Sequence, residues 1–475
     1  MSYAIYVGRE LTATGHAFIA GYGDEPSGHW LEVVPRRQHP PGATIEVGVT
    51  PEAAMPGVRT TIPQVAETYR YLGVGYSHYL GVPGPLTNGG LNEHGVAVRD
   101  VWSPSADRLR AMTPPDQRGP TYSDLARLVL ERATSAREGV ELIGDLIGAH
   151  GESTYGGNSH LIADDREAWV VIQFAGGQGL WVAERLGPRS IRVSRPGYIG
   201  VVPEDLTDHQ DFMGAPHLVA FAVERGWYDR ERDGPFDVNA IYGDGRRRWP
   251  GVTWVEDELA RRAAVGAGIT FGDMAWALRT ERLTGDTAGY GQIVPLRPVS
   301  PGELRVLWHA PVGPIAAPLT PFVVGVRSVP PELGRHRYLG EGEAASFIDD
   351  RDPDDPASAV PQRIEATRSA VAIHKRLLYL LAEHHDVFLP EVTPVWEAFE
   401  REQVRLLADV MEMAEVLVDA DRLDLALDLV TRHCGTQATR ALDLAETMLD
   451  SMDARSRLLF GIREDGGWRG PEQIW

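Results

Sequence analysis

Residues 1–25 read MSYAIYVGRELTATGHAFIAGYGDE. Tyr3-Ala4-Ile5-Tyr6-Val7 is a run of aromatic and β-branched residues, the composition of a strand. Ala17-Phe18-Ile19-Ala20 predicts a second strand, and the two are expected to pair as a hairpin. The stretch has no basic flank, no long apolar run and no small-residue cleavage site, so a core strand is expected here rather than a secretory signal. One residue, Ser2, separates that strand from the initiator Met. A small second residue favours removal of Met1, and that alone is a sufficient structural reason for it.

Working outward, 475 residues exceed the size at which a single core stops growing, so a large domain with an appendage is expected. Hydrophobic residues make up 43% and charged residues 24%, the balance of an ordinary globular protein. No apolar run approaches the roughly 18 residues of a membrane span, so no membrane partner is expected and the cytoplasm is the default compartment. Lys and Arg number 46 against 67 Asp and Glu, a net charge of −21, which argues against a nucleic-acid partner. The single cysteine, Cys434, excludes an intramolecular disulfide and a cysteine-based zinc cluster.

Two regimes divide the chain. Residues 1–330 are punctuated by Gly and Pro and carry short apolar runs such as Trp30–Val34, Gly95–Val98, Trp169–Ile172 and Leu304–Trp308, which predict strands. Helical spacing at Tyr122–Ala133 and Ala136–Gly148 lies between them, and long strand-only stretches favour α+β layering over βαβ alternation. Residues 331–360 turn acidic and Pro-rich, as in Asp349–Pro356, and predict a linker. Residues 361–475 then carry i, i+3, i+4 apolar spacing at Gln362–His385, Pro394–Val418, Leu423–His433 and Thr436–Phe460, a helical C-terminal region. Exposed helical tails in chains of this size often mediate dimers, so a homodimer is an expected assembly.

The common catalytic signatures are missing. There is no Gly-x-Ser-x-Gly elbow and no His-Glu-x-x-His. Gly21-Tyr22-Gly23 and Gly73-Val74-Gly75 lack the spacing of phosphate loops. His384-His385-Asp386 reads as a solvated helix end, and His433-Cys434 has no second ligand pair, so neither a metal nor a cofactor is implied. Arg246-Arg247-Arg248 is a short basic cluster, either a solvated loop or an anion contact.

That elimination returns to Ser2. Without Met1 it carries a hydroxyl and a free α-amine. The hydroxyl is a weak nucleophile until a base takes its proton, and an α-amine with an ordinary pKa of about 7.7–8 can be that base after a modest downward shift. Such a site needs a group to orient the amine and a donor for the oxyanion. Asp24, after the second strand, is the expected orienting carboxylate. Asn158, in Tyr155-Gly156-Gly157-Asn158-Ser159-His160 at the mouth of a strand, is the expected oxyanion donor. Both also suit turn positions, where they would satisfy nearby backbone groups.

These residues resemble the dipeptidases of the N-terminal-nucleophile hydrolase superfamily, with secernins as relatives and penicillin V acylases and bile-salt hydrolases further away. That family opens with a nucleophilic cysteine and a strand ending in Val-Gly; counting back from Val7-Gly8 places its nucleophile at Ser2. Gly90-Leu91-Asn92-Glu93-His94-Gly95-Val96-Ala97 is similar to its Asn-Glu-x-Gly-Val segment, and Ala136-Arg137-Glu138-Gly139-Val140 to its helix. Asn158 with Ala163-Asp164, then Trp169 and Gly176-Gly177 through Trp181–Arg185, resembles its central hairpin, and Thr320–Pro330 its last strand region. The resemblance implies a four-layer αββα sandwich with a helical C-terminal extension. It also implies hydrolysis of a small peptide or amide through an acyl-enzyme, with Ser2, Asp24 and Asn158 catalytic and Asn92 and Arg195 binding substrate. Departures are Ser for Cys at position 2, Gly21 and Val252 where the family has arginines, and Arg195 where it has asparagine. Two alternatives stay open: a transferase delivering the same acyl group to an amine, and a non-catalytic descendant that binds a ligand or partner.

The processing expectation is directly measurable. Freshly expressed protein should have an intact mass lacking one Met and should yield Ser2 as its first residue; complete retention of Met1 would sink the catalytic reading.

Overall fold

The computed structural model describes residues 2–23, 29–49, 55–76, 86–195, 197–246, 248–285, 287–334 and 368–461. Two antiparallel sheets dominate these residues. The first has six strands in the spatial order β14 (Ile191–Ser194), β1 (Tyr3–Val7), β2 (Ala17–Gly23), β16 (Tyr290–Leu296), β17 (Val306–Ala310) and β18 (Thr320–Val323). The second has eight, in the order β15 (Phe212–Gly214), β13 (Trp181–Leu186), β12 (Ala168–Gln173), β11 (Asn158–Ala163), β10 (Ala97–Trp102), β9 (Leu86–Asn92), β8 (Tyr71–Tyr76) and β3 (His29–Val34). Two small ribbons, β4 (Arg37–Gln38) with β7 (Glu67–Thr68) and β5 (Thr44–Gly48) with β6 (Arg59–Pro63), fill the segment between β3 and β8.

The sheets stack face to face through β1 and β2 against β10, and β17 against β9. Helices α2 (Tyr122–Arg132) and α3 (Ala136–His150) cover the outer face of the second sheet, and α6 (Pro250–Val265) and α7 (Phe271–Arg279) pack on strands of the first. The shorter helices are α1 (Asp107–Arg110), α4 (Leu218–Glu224) and α5 (Val238–Ile241). The result is the expected α+β sandwich, with layers in the order αββα. Its strands read as continuous apolar runs because both faces are covered: β1, β2, β11 and β12 are buried at every position. Local chemistry sets the helix starts. Thr121 and Thr270 each accept from the amide three residues on while Asp124 and Asp273 reach back, two complete capping boxes.

Three further helices, α8 (Ala370–Glu383), α9 (His385–Asp419) and α10 (Leu423–Phe460), continue the same hydrophobic core. Both α9 and α10 pack on β18. A buried ion pair between Arg279 of α7 and Glu400 of α9 ties them to the sandwich, with the Leu319 amide donating to the same carboxylate at 2.9 Å. Of the expected linker, Pro331–Leu333 forms a short 3-10 turn, and residues 335–367 lie outside the described set.

Two helix boundaries differ from expectation. The apolar face Phe388, Val392, Trp396 and Phe399 runs straight through Pro390 and Pro394, so packing carries α9 past two missing amide donors. Likewise Val430, Cys434, Ala438 and Leu442 keep an i, i+4 face across Gly435, and one helix replaces the two expected. His384 is not a solvated end: it is buried at the α8–α9 junction, stacked on Phe460 with ring centroids 4.0 Å apart and bonded to Ser456 Oγ at 2.9 Å. Cys434 is buried, which pushes its thiol up to about 12 and leaves it protonated.

The two sheets come closest where Arg99 of β10 crosses to β2. A Cβ at Gly21 would lie 2.5 Å from Arg99 Cδ and 2.7 Å from its Nε, so the absent side chain on β2 is the space the arginine occupies. From there Arg99 donates to the Tyr22 carbonyl at 3.2 Å and to Asp100 Oδ1 at 2.6 Å, and its guanidinium lies 5.0 Å from the centre of the Tyr290 ring. Gly21→Ala should therefore overpack the interface and cost about 1–3 kcal/mol of stability. In an Arg99→Ala background the same change should cost far less. Chemical denaturation of the four proteins measures the coupling; equal costs in both backgrounds would refute it.

Candidate active site

Ser2 immediately precedes β1, and strand alternation fixes where it points. Tyr3 faces outward, its hydroxyl donating to the Ala277 carbonyl of α7 at 2.7 Å. Ala4, its neighbour in the strand, pairs with Gly21, whose missing side chain is filled by Arg99 of the facing sheet. Ser2 shares the parity of Ala4 and so faces the second sheet. It is half-buried, at the end of the layer between the sheets.

The two ends of that layer differ. At the far end of β1, the Tyr6 phenol is pushed up to about 12 by burial, with smaller effects from Arg9 and from the carboxylates of Asp164 and Glu167 in the β11–β12 turn. That turn adjoins Ala97, which pairs with Ala163. The Ser2 end therefore lies toward the opposite end of β10, where Trp102 pairs with Asn158. The loop after β14 closes onto this same end: Ser103 Oγ donates to the Gly197 carbonyl at 3.2 Å, and a Cβ on Gly197 would meet Ser159 Cβ at 2.3 Å.

Arg195 enters from that loop. Its Nη1 donates to the Ser2 carbonyl at 2.9 Å, and its guanidinium lies 4.7 Å from the centre of the Trp249 ring. The strand leading to Arg195 is held by a clamp on Val193. Glu256 of α6 accepts from the Val193 amide at 2.6 Å, while Arg248 donates to the Val193 carbonyl at 2.6 Å and to Glu256 Oε2 at 2.6 Å. Within the basic cluster, Arg248 is thus a structural strut, Arg246 is exposed and Arg247 lies outside the described residues.

Among the expected site residues, Ser2 and Arg195 are brought into direct contact. Asp24 lies outside the described residues. Asn158 is buried, and its Nδ2 has no hydrogen-bond partner among the described residues. It shares a strand face with His160, whose Nε2 meets the Tyr122 carbonyl of α2 at 2.9 Å and whose Nδ1 faces Gln173 Oε1 at 3.2 Å, so this face turns toward α2 and away from the layer between the sheets that Ser2 faces. Asn92 belongs to the hairpin between β9 and β10, the end remote from Ser2. Its Nδ2 donates to the Leu130 and Ala133 carbonyls at 3.1 and 2.8 Å, and its Oδ1 accepts from the His94 and Val96 amides at 3.0 and 2.9 Å. Its amide donors are committed to joining the hairpin to α2.

Three groups escaped the sequence reading: Trp249, Arg99 and Glu152. The first two act across long sequence separations, and only the unexplained glycine at 21 hinted at Arg99. Glu152 lies in the loop that delivers Asn158, a loop fastened by Ser153 N to the Pro120 carbonyl at 3.0 Å and Gln117 Nε2 to the Thr154 carbonyl at 2.8 Å. Burial pushes its carboxyl up to about 8, and its Oε1 has no partner. No group of three or more His, Cys, Asp or Glu side chains able to hold a metal ion occurs among the described residues, and no described helix is long and apolar enough to cross a membrane.

Against known proteins, residues 47–248 match the family model of peptidase family C69. A probable dipeptidase of Salmonella dublin is 30% identical over 161 residues, covering 33% of this chain and 36% of that protein. A probable dipeptidase of Latilactobacillus sakei is 28% identical over 167 residues, covering 34% and 33%. The chain thus matches about a third of the length of these relatives. Among solved structures, a mutant of the conjugated bile acid hydrolase from Clostridium perfringens aligns with 68% of this chain and 92% of its own at 11% identity, with a TM-score of 0.30.

The buried acid has a measurable consequence. With its carboxyl near pH 8 when folded and near 4.5 when unfolded, Glu152 makes the folded state bind the extra proton between those values, so stability falls as pH rises through that window. The melting temperature should fall between pH 5 and pH 8, and Glu152→Gln should reduce that fall. An identical pH profile in the variant would show that the carboxyl titrates normally.

Proposed function

We propose that this chain is an N-terminal-nucleophile amidohydrolase that cleaves the amide bond of a small peptide-like substrate through an acyl-enzyme on Ser2. The observation that carries the reading is the setting of Ser2: half-buried before β1, facing the second sheet, with its carbonyl held by Arg195. The match to peptidase family C69 and to probable dipeptidases supports peptide-bond hydrolysis; it begins at residue 47, so the nucleophile rests on the geometry and the chemistry of Ser2.

In this reading the neutral α-amine of Ser2, after loss of Met1, accepts the hydroxyl proton as Oγ attacks the substrate carbonyl. It then returns the proton to the leaving amine, and water repeats the sequence to release the acid. Asn158 is the proposed oxyanion donor; as the first residue of β11 on the face turned toward α2, it would have to reach Ser2 around the end of that strand, and Asp24 is the group proposed to orient the amine. Arg195, half-exposed, stacked on Trp249 and bonded to the Ser2 carbonyl, is proposed to contact a carboxylate on the substrate.

Ser2→Ala should abolish turnover of a dipeptide panel while the melting temperature stays near that of the wild type, and Ser2→Cys should keep part of the activity. Asn158→Ala should lower kcat by about 10²–10³. An active Ser2→Ala protein would end this reading. An Asn158→Ala protein with normal kcat and a reduced melting temperature would assign that residue to the fold instead.

A further inference from the structure

We propose that a cavity apart from the Ser2 site binds a long-chain carboxylate, with the acyl chain lying along α9 and the carboxylate at Arg305. The cavity has a volume of about 1200 Å³ and lies between α7, α9 and the face of the first sheet turned away from Ser2. Strand alternation defines that face. Gly21 faces the second sheet, so Phe18 on the same strand faces outward, and Trp308, paired with Ile293 opposite Ala20, shares its side. Both line the cavity, Phe271 and Trp276 of α7 add two more aromatic walls, and Val404, Leu407 and Met411 form an apolar stripe on α9. Phe271 and Trp276 are half-buried and Val404 is 41% exposed, so apolar surface that close packing would cover is left open. Protein interiors hold few voids larger than a water molecule, and a space of this size is that of a ligand site.

Charge selects the head group. Five arginines line the cavity, and four are matched: Arg262 by Asp273 at 2.9 Å, Arg279 by Glu400, Arg297 by Glu415 at 3.3 Å and Arg401 by Glu397 at 3.9 Å. The fifth, Arg305, has carbonyl partners instead. Its Nε donates to the Glu93 carbonyl at 3.2 Å and its Nη1 to the Arg297 carbonyl at 3.1 Å, while Nη2 is uncommitted. Asp164 and Asp165 in the β11–β12 turn act on Arg305 from beyond ion-pair distance and have partners of their own. Asp164 accepts from the amides of Ala136, Arg166 and Glu167, and Asp165 meets Arg166 at 4.0 Å. Glu412, the remaining acid of the lining, is exposed on α9, where its charge is hydrated. Burial pulls the Arg305 guanidinium below its ordinary value, a cost that a bound carboxylate would offset. The bond to the Arg297 carbonyl sets Arg305 beside the Arg297–Glu415 pair, at one end of the cavity, and the Arg279–Glu400 pair lies toward the other. From Glu397 to Glu415 the lining follows α9 for about 27 Å. One terminal anion on a long apolar body matches this arrangement.

Isothermal titration of the full chain with octanoate, decanoate and dodecanoate, each below its micellar concentration, tests the proposal. Binding should be saturable, with affinity rising about threefold per added CH₂. Decan-1-ol has the same chain without the charge and should bind about tenfold more weakly than decanoate. Arg305→Met should weaken decanoate about tenfold and leave decan-1-ol unchanged, and Arg305→Lys should keep most of the affinity. Val404→Trp, which pushes an indole into the cavity from a half-exposed position, should weaken both ligands. Melting temperature identifies any variant that has unfolded, and the chain-length series and the alcohol comparison need no variant. Absence of saturable decanoate binding would overturn the proposal, as would equal binding of decanoate and decan-1-ol. Decanoate binding unchanged in a folded Val404→Trp protein would place the ligand elsewhere and overturn it as well. The outcome is independent of the reading of Ser2: Ser2→Ala should bind decanoate as the wild type does.

Discussion

A guanidinium buried between two β-sheets is costly unless its charge and donors are answered, and the architecture around Arg99 supplies a carboxylate, a carbonyl and a ring face. Asp100 takes one side, the Tyr22 carbonyl of the opposite sheet another, and the ring of Tyr290 lies beneath. This is possible only because β2 has no side chain at position 21. The consequence reaches past the contact itself. β2 is pinned against β10 at one height, β1 is paired to β2 with Tyr3 opposite Tyr22, and Ser2 follows one residue before Tyr3. A polar crossing in the middle of the sandwich thereby sets the level at which the N-terminal residue meets the second sheet.

The remaining polar groups divide between the two ends of the sandwich. At the end remote from Ser2, Asp164 accepts from the amides of Ala136, Arg166 and Glu167, and Asn92 joins the β9–β10 hairpin to α2, so the turns there are fastened to the helices behind them. The Ser2 end has Arg195, Trp249 and, near the strand terminus, the Asn158 amide, which has no partner among the described residues. At the far edge of the first sheet, α9 and α10 cover β18, and the Arg279–Glu400 pair keeps that contact in register.

Much of this was legible in the residues. Strand composition located β1, β3, β10 and β12 to within a few residues, and helical spacing located α2 and α3. Ser2 and Arg195 stood out individually, one by chemistry and one by departure from a pattern. Their contact did not, because it depends on β14 pairing with β1 across nearly two hundred residues, and nothing local encodes that pairing. Asn92 shows the opposite limit: a conspicuous motif residue whose amide donors are spent on backbone carbonyls. The prolines of α9 and the glycine of α10 misplace helix ends for a related reason. Local propensity is outweighed there by an apolar face that continues unbroken.

A serine at position 2 sets an electrostatic demand that a cysteine would not. A thiol and an α-amine have similar acidities, so a proton can sit on the amine before attack and leave a thiolate ready. A hydroxyl is far too weak an acid for that exchange. Its proton can move only as the new bond forms, which requires the amine to be neutral beforehand. An environment that favours an ammonium would help a cysteine and disable a serine. In the proposed reading, Ser2 therefore depends on an environment that keeps its own amine unprotonated, which a cysteine in the same place would not need.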